Sequence, residues 1–150
     1  MAISLASSPA VAQETRFRVL AFYSEDTEPD HVQFAQEAVK LLSERAASEH
    51  STFAATTEWQ DLSDERLKNY QLIIWPNQSP KTAEQRSAFG GYIQRGGAWL
   101  GFHAAPYNDK ETDWPWFVDF LGGTVSHINR LAATAGTAGE AMEIYHYSSL

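Results

Sequence analysis

The feature that most constrains the fold of this chain is a run of large apolar residues, Leu72-Ile73-Ile74-Trp75, which is closed by Pro76. A short apolar run without polar alternation is typical of a strand buried on both faces, and such strands occur in parallel sheets covered by helices. Three further segments, 16–24, 52–57 and 98–102, have the composition of strands. The chain is therefore predicted to contain a parallel sheet.

Helical patterns separate these predicted strands. Apolar residues at helical spacing predict an amphipathic helix over about 29–47, and Thr27 with Asp30 resembles a capping box at its start. Ser63 is the predicted N-cap of a short helix over about 64–68. This alternation of strand and helix predicts a doubly wound α/β fold with right-handed crossovers.

The two remaining predicted helices have clear start and stop signals. Thr82 and Gln85 form a capping-box pair, and the helix that they open is predicted to end at about Arg95, before a glycine pair. The last helix is predicted to begin at the segment Asp113-Trp114-Pro115 and to reach Leu121.

Composition excludes several classes of function. The 150 residues carry a formal net charge of −8, and the basic residues are scattered, which argues against nucleic acid as a partner. The absence of cysteine excludes a disulfide framework, a thiolate zinc site and a cysteine nucleophile. No apolar segment is long enough to insert into a membrane, and no glycine-rich phosphate loop follows the first strand, so a nucleotide cofactor is not expected.

The two ends of the chain differ from its centre. Residues 1–13 are small and mildly apolar, and Pro9-Ala10-Val11-Ala12 before Gln13 resembles a signal-peptide cleavage site. This predicts a periplasmic or secreted protein, although a disordered arm is the alternative. We assign residues 14–125 to one α/β domain and residues 126–150 to a divergent, weakly patterned tail, in which 143–147 has the composition of a short strand.

Polar side chains follow three of the predicted strands, at the sheet edge where ligands bind in open α/β folds. A small polar ligand, with a sugar as the leading candidate, is therefore expected there, and Tyr107 and Trp114 are the aromatic rings that could stack on it. The candidate ligand contacts are Ser24, Glu28, Asn77, Tyr107, Asn108, Asp113 and Trp114.

His103 is the main candidate for chemistry. It directly follows the fourth strand, in the segment Gly101-Phe102-His103-Ala104-Ala105, whose small residues permit a tight turn into a pocket. A histidine there could act as an acid, a base, a metal ligand or a hydrogen-bond donor, and a purely structural role is the alternative. His31 and Asp109 are predicted to assist it. Their spacing has no metal-site signature, so no metal is predicted, and the cofactor is left unassigned.

Several segments together resemble the ThuA (trehalose utilisation) family over about residues 16–124. The most specific are Gly96-Gly97-Ala98-Trp99-Leu100-Gly101-Phe102-His103-Ala104-Ala105 and Asp113-Trp114-Pro115-Trp116-Phe117. The resemblance implies a flavodoxin-like fold similar to class I glutamine amidotransferases, in which a nucleophilic cysteine occupies the place of His103. It also implies a role in the use of disaccharides and keto-sugars.

The resemblance leaves three functions open. The first is an enzyme-like domain acting on a carbohydrate, with His103 as acid, base or polarising group. The second is a non-catalytic module that binds a carbohydrate or a protein partner. The third is an inactive, truncated relic, because family members continue further and the pattern fades after Gly123. The substrate and the oligomeric state are not assigned.

Overall fold

The sheet and its helices alternate along the chain as the sequence predicts. The structure is a computed structural model that describes residues 17–102, 104–108, 113–122, 124–130 and 143–148, the last two ranges through their backbone. Residues 1–13, which hold the predicted cleavage site, lie outside this description. The elements are β1 Arg18–Phe22, α1 Pro29–Ser48, β2 Thr52–Thr56, a 3-10 turn Trp59–Asp61, α2 Asp64–Leu67, β3 Leu72–Trp75, α3 Ala83–Gln94, β4 Ala98–Gly101, α4 Pro115–Leu121, β5 Thr124–Arg130 and β6 Glu143–Ser148.

The four predicted strands form one parallel sheet in the order β2-β1-β3-β4. β1 lies at its centre, where Leu20 pairs with Ala54 of β2 and with Ile73 of β3. The predicted α/β architecture is confirmed, with helices on both faces. β5 and β6 form a separate antiparallel pair; β6 includes the predicted 143–147 strand, whereas the sequence analysis predicted no strand for β5.

The apolar run of β3 is buried because both faces of the sheet are covered. Ile73 and Trp75 face a core shared with α2, α3 and α4, whereas Ile74 faces a smaller core shared with α1. The Trp75 ring is fully buried and lies 4.2 Å, centroid to centroid, from the ring of Phe89 in α3. Strict alternation along the strand thus places bulky side chains on both sides of the sheet.

The N-caps predicted from the sequence can be compared with those of the folded chain. Ser63 accepts a hydrogen bond from the backbone of Arg66, and Thr82 with Gln85 forms a complete capping box, so both predictions are confirmed. The predicted cap at Thr27 is wrong. Glu28, one residue later, is the N-cap residue and makes no side-chain capping bond, and the Thr27 hydroxyl donates to the Glu28 carboxylate at 2.6 Å.

Parallel pairing places the loops that follow β1, β3 and β4 at one edge of the sheet, the edge at which the sequence analysis placed its candidate site. Among the described helices, none combines the length and the apolar character needed to cross a membrane.

Candidate functional site

Asn77 joins the loops that follow β1 and β3. Its side-chain oxygen accepts a hydrogen bond from the backbone of Ser24 at 2.9 Å, and its amide nitrogen donates to the carbonyl oxygens of Ser24 at 2.8 Å and His31 at 3.2 Å. Both Asn77 and Ser24 are buried. The two predicted contact residues therefore fix the shape of the edge at which the site would lie.

Glu28 and His31 form a pair at the start of α1. The Glu28 carboxylate lies 3.0 Å from Nδ1 of His31. The hydrogen bond from the Thr27 hydroxyl, followed by that from the backbone of Glu28 and that from His31, lowers the pKa of Glu28 to about 2. A carboxylate that stays ionised beside an imidazole fixes the orientation of that ring.

A cleft of about 410 Å³ opens beside Asn77, within the size range of small-molecule sites. Its walls are the loop after β3, the first turn of α3 and the segment after β4. Two predicted contact residues besides Asn77, Tyr107 and Asp113, contribute to it. The full lining is Asn77, Gln78, Ser79, Pro80, Lys81, Arg86, Ala104, Tyr107 and Asp113.

Arg86 links two walls of this cleft. Its Nη1 donates to the carbonyl oxygen of Asp113 at 2.9 Å, and its Nε donates to that of Pro80 at 3.3 Å. The guanidinium carbon lies 5.3 Å from the centre of the Trp114 ring, a cation–π distance. These contacts hold the segment before α4 against the loop after β3.

Four predicted contact residues lie outside the cleft lining: Ser24, Glu28, Asn108 and Trp114. Trp114 is 8% exposed and its ring stacks on Phe117 at 4.4 Å, so it contributes to the core behind the cleft. Asn108 is fully buried and its amide donates to the carbonyl oxygen of Pro106 at 3.1 Å. Glu28 and His31 also lie outside the lining, and the hydrogen bond from Asn77 connects them to it.

The two other predicted catalytic residues, His103 and Asp109, lie outside the described residues. Ala104, the neighbour of His103 in the chain, lines the cleft. Across the described ranges, no three histidine or carboxylate side chains are grouped so that they could hold a metal ion.

Lys81 and Arg86 are the charged lining residues that the sequence analysis missed. A signal was present for Arg86, because it lies four residues after the predicted N-cap Thr82 and therefore on the same face of α3. Lys81 directly follows the polar loop after β3, where only Asn77 had been selected. The sequence alone did not indicate that the side chain of either residue would line a cleft.

Comparison with known proteins gives a consistent result. The family model described as ThuA, trehalose utilisation, matches residues 18–145. No match to the chain is found among curated proteins.

A solved structure, the crystal structure of a ThuA-like protein from Bacteroides uniformis ATCC 8492, is similar to this chain with a TM-score of 0.75 and 34% sequence identity. The similarity covers 94% of this chain and 65% of that protein, so the chain spans less than two thirds of the length of its solved relative.

Proposed function

The chain belongs to the ThuA family of trehalose utilisation, and from that premise we propose that it binds a saccharide in the cleft beside Asn77. The observation that carries the proposal is the cleft itself, which lies at the carboxyl edge of the parallel strands, where ligands bind in folds of this type. Its lining combines amide, hydroxyl, carboxylate and cationic groups, which can donate to and accept from sugar hydroxyls.

Three side chains of the lining would make the main contacts with the sugar. Asp113 is exposed and supplies a carboxylate that can accept from two sugar hydroxyls, while Gln78 supplies both a donor and an acceptor. Tyr107 adds a ring that can stack on the apolar face of a sugar. The side chain of Asn77 is hydrogen-bonded to the backbone of Ser24. We therefore assign Asn77 to holding the cleft open rather than to contacting the sugar.

If the protein converts the saccharide chemically, the histidines would transfer the protons. We assign His103 as the acid or base because it precedes Ala104 of the lining, with Asp109 assisting. His31, held by the Glu28 carboxylate, would be a second proton carrier at the edge of the site. A periplasmic or secreted location belongs to the same proposal and depends on residues 1–13.

Isothermal titration calorimetry with trehalose and with glucose tests the binding proposal. We expect Asp113→Asn to weaken binding at least tenfold, because a hydrogen bond to a charged group contributes about 1.5–3 kcal/mol. Asp119→Asn, the same change at an exposed position of α4, is the control and should leave binding unchanged. The proposal would be refuted if neither trehalose nor glucose bound. It would also be refuted if Asp113→Asn and Asp119→Asn weakened sugar binding equally.

Turnover is assayed separately on a disaccharide and on its keto form, with His103→Ala as the variant. Loss of turnover with retained binding supports the enzymatic assignment. Binding without any turnover by the unmodified chain supports a non-catalytic carbohydrate-binding module instead.

A further inference from the structure

We propose that the cleft prefers a sugar bearing a carboxylate over a neutral sugar, and that Lys81 and Arg86 set this preference. The inference rests on the proposed function, because it specifies the ligand class of the same cleft.

The charges of the lining differ from those of the chain as a whole. The chain has a formal net charge of −8, yet the described residues of the lining include two cations, Lys81 and Arg86, and one carboxylate, Asp113. The ion pairs found among the described residues involve other groups, so neither cation is neutralised by a described carboxylate within 4.0 Å. Among its described residues the cleft lining thus carries one more cation than carboxylate, which favours anionic ligands.

Arg86 is oriented before any ligand arrives. Its Nε and Nη1 donate to the carbonyl oxygens of Pro80 and Asp113, and its guanidinium lies over the Trp114 ring. No described residue accepts a hydrogen bond from its Nη2. A fixed guanidinium with remaining donors matches the geometry of a carboxylate, and little side-chain entropy is lost when the carboxylate binds.

Lys81 complements Arg86 in a different way. It is exposed, its described hydrogen bond comes from its backbone rather than its ammonium group, and it borders the same cleft. Its charge can therefore be removed without removing a described contact. Hydroxyl-binding groups of the lining, such as Gln78 and Tyr107, serve neutral and acidic sugars alike, so the two cations decide between them.

The test compares D-glucose with D-glucuronate, which differ in a carboxylate at one carbon, by calorimetry at low salt. We expect glucuronate to bind at least tenfold more tightly than glucose. Lys81→Gln should weaken the binding of glucuronate several-fold more than the binding of glucose, because it removes the charge and keeps a hydrogen-bond donor. Lys40→Gln, the same change at an exposed position of α1, is the control and should change neither affinity. Added salt should weaken the binding of glucuronate alone.

The outcomes separate this inference from the function on which it rests. Equal affinities, or tighter binding of glucose, would overturn the carboxylate preference and leave saccharide binding intact. Failure of every sugar to bind would overturn both.

Arg86 is tested with Arg86→Lys, which keeps the charge, and Arg86→Gln, which does not. Thermal unfolding of both variants monitors the lost bonds to Pro80 and Asp113. We expect Arg86→Lys to retain more of the preference than Arg86→Gln. A preference that survives Lys81→Gln and Arg86→Gln together would overturn the assignment to these residues.

Discussion

Glu28 is exposed to solvent, and yet its carboxylate is held in the ionised form by three hydrogen bonds. The largest effect comes from the Thr27 hydroxyl, with further contributions from the backbone of Glu28 and from His31. The pKa falls from the ordinary value of 4.5 to about 2. Because the folded-state pKa is lowered, the resulting stabilisation is fully present above pH 4.5 and is lost as the pH falls towards 2.

Replacing Thr27 with valine tests this arrangement. The change keeps the shape of the side chain and removes the hydroxyl that donates to Glu28, so the pKa of Glu28 should rise towards 4.5. Nuclear magnetic resonance of the Glu28 carboxyl carbon measures the midpoint. Thr52→Val, at the exposed start of β2, is the control and should leave it near 2. A midpoint unchanged by Thr27→Val would contradict the assigned cause.

Residue type and position predicted part of the site, and folding decided the rest. Asn77, Tyr107 and Asp113 were selected because they follow strands, and they line one cleft. The sequence did not predict which polar atoms are available to a ligand. The Asn77 amide, for example, is already hydrogen-bonded to the backbone of Ser24. Arg86 was missed because its role depends on a carbonyl oxygen 27 residues away in the chain.

Among the elements, α3 contains two adjacent glycines, Gly90 and Gly91, in the interior of a helix. The interior of a helix is the place where glycine costs most, about 1 kcal/mol relative to alanine. At Gly90 the atoms nearest to an added Cβ atom belong to the Trp116 ring, at an ordinary contact distance of 3.8 Å. Gly97, just before β4, differs because a Cβ atom there would overlap the ring of Tyr92.

Replacing Gly90 and Gly97 with alanine should therefore change the free energy of unfolding in opposite directions. Gly90→Ala should raise the free energy of unfolding by up to about 1 kcal/mol, through helix propensity. Gly97→Ala should lower it by about 1–3 kcal/mol, because the buried Tyr92 ring is tethered by its hydrogen bond to the carbonyl oxygen of Ala98. Urea denaturation measures both changes, and shifts of the same sign would contradict the contacts described for one of the glycines.

Elements with local signals were predicted well, and those that depend on distant partners were not. The caps at Ser63 and Thr82 involve neighbours three residues away, so the sequence contained the whole interaction. β5 has a partner in β6, on the far side of residues 131–142, and its own composition gave no comparable signal. The cap predicted at Thr27 failed because the helix begins at Pro29, one residue later than a cap at Thr27 requires, with Glu28 as the N-cap residue.

At the scale of the whole molecule, Asn77 is the residue that ties distant parts of the fold together at the site. One side chain bonds the loop after β1 and the first turn of α1 from the end of β3. The parallel fold itself was predictable, because strands joined by helices have few arrangements. The bonds of Asn77 were not, since they depend on how β1 and β3 align across the sheet.

Asn77→Asp tests this bridge. The new carboxylate cannot donate to the carbonyl oxygens of Ser24 and His31, so we expect the free energy of unfolding to fall by about 1–3 kcal/mol. Saccharide binding should weaken with it, because the cleft loses the contact that joins its loops. Gln78→Glu, the same amide-to-acid change one residue on, is the control for stability. Equal stability of Asn77→Asp and the unmodified chain would show that the bridge is dispensable.

The contact between Ser24 and Asn77 spans 53 residues, and this spacing bears on how the chain is made. While a ribosome is still adding residues before β3, β1 has no partner on one side, and its apolar residues Leu20, Ala21 and Phe22 lack the covering that they have in the finished sheet. Such an open edge attracts other chains and the chaperones that shield it. The arrival of β3 closes that edge of β1 and completes the Asn77 bridge in one event, and the open edge then passes to β3 until β4 pairs with it.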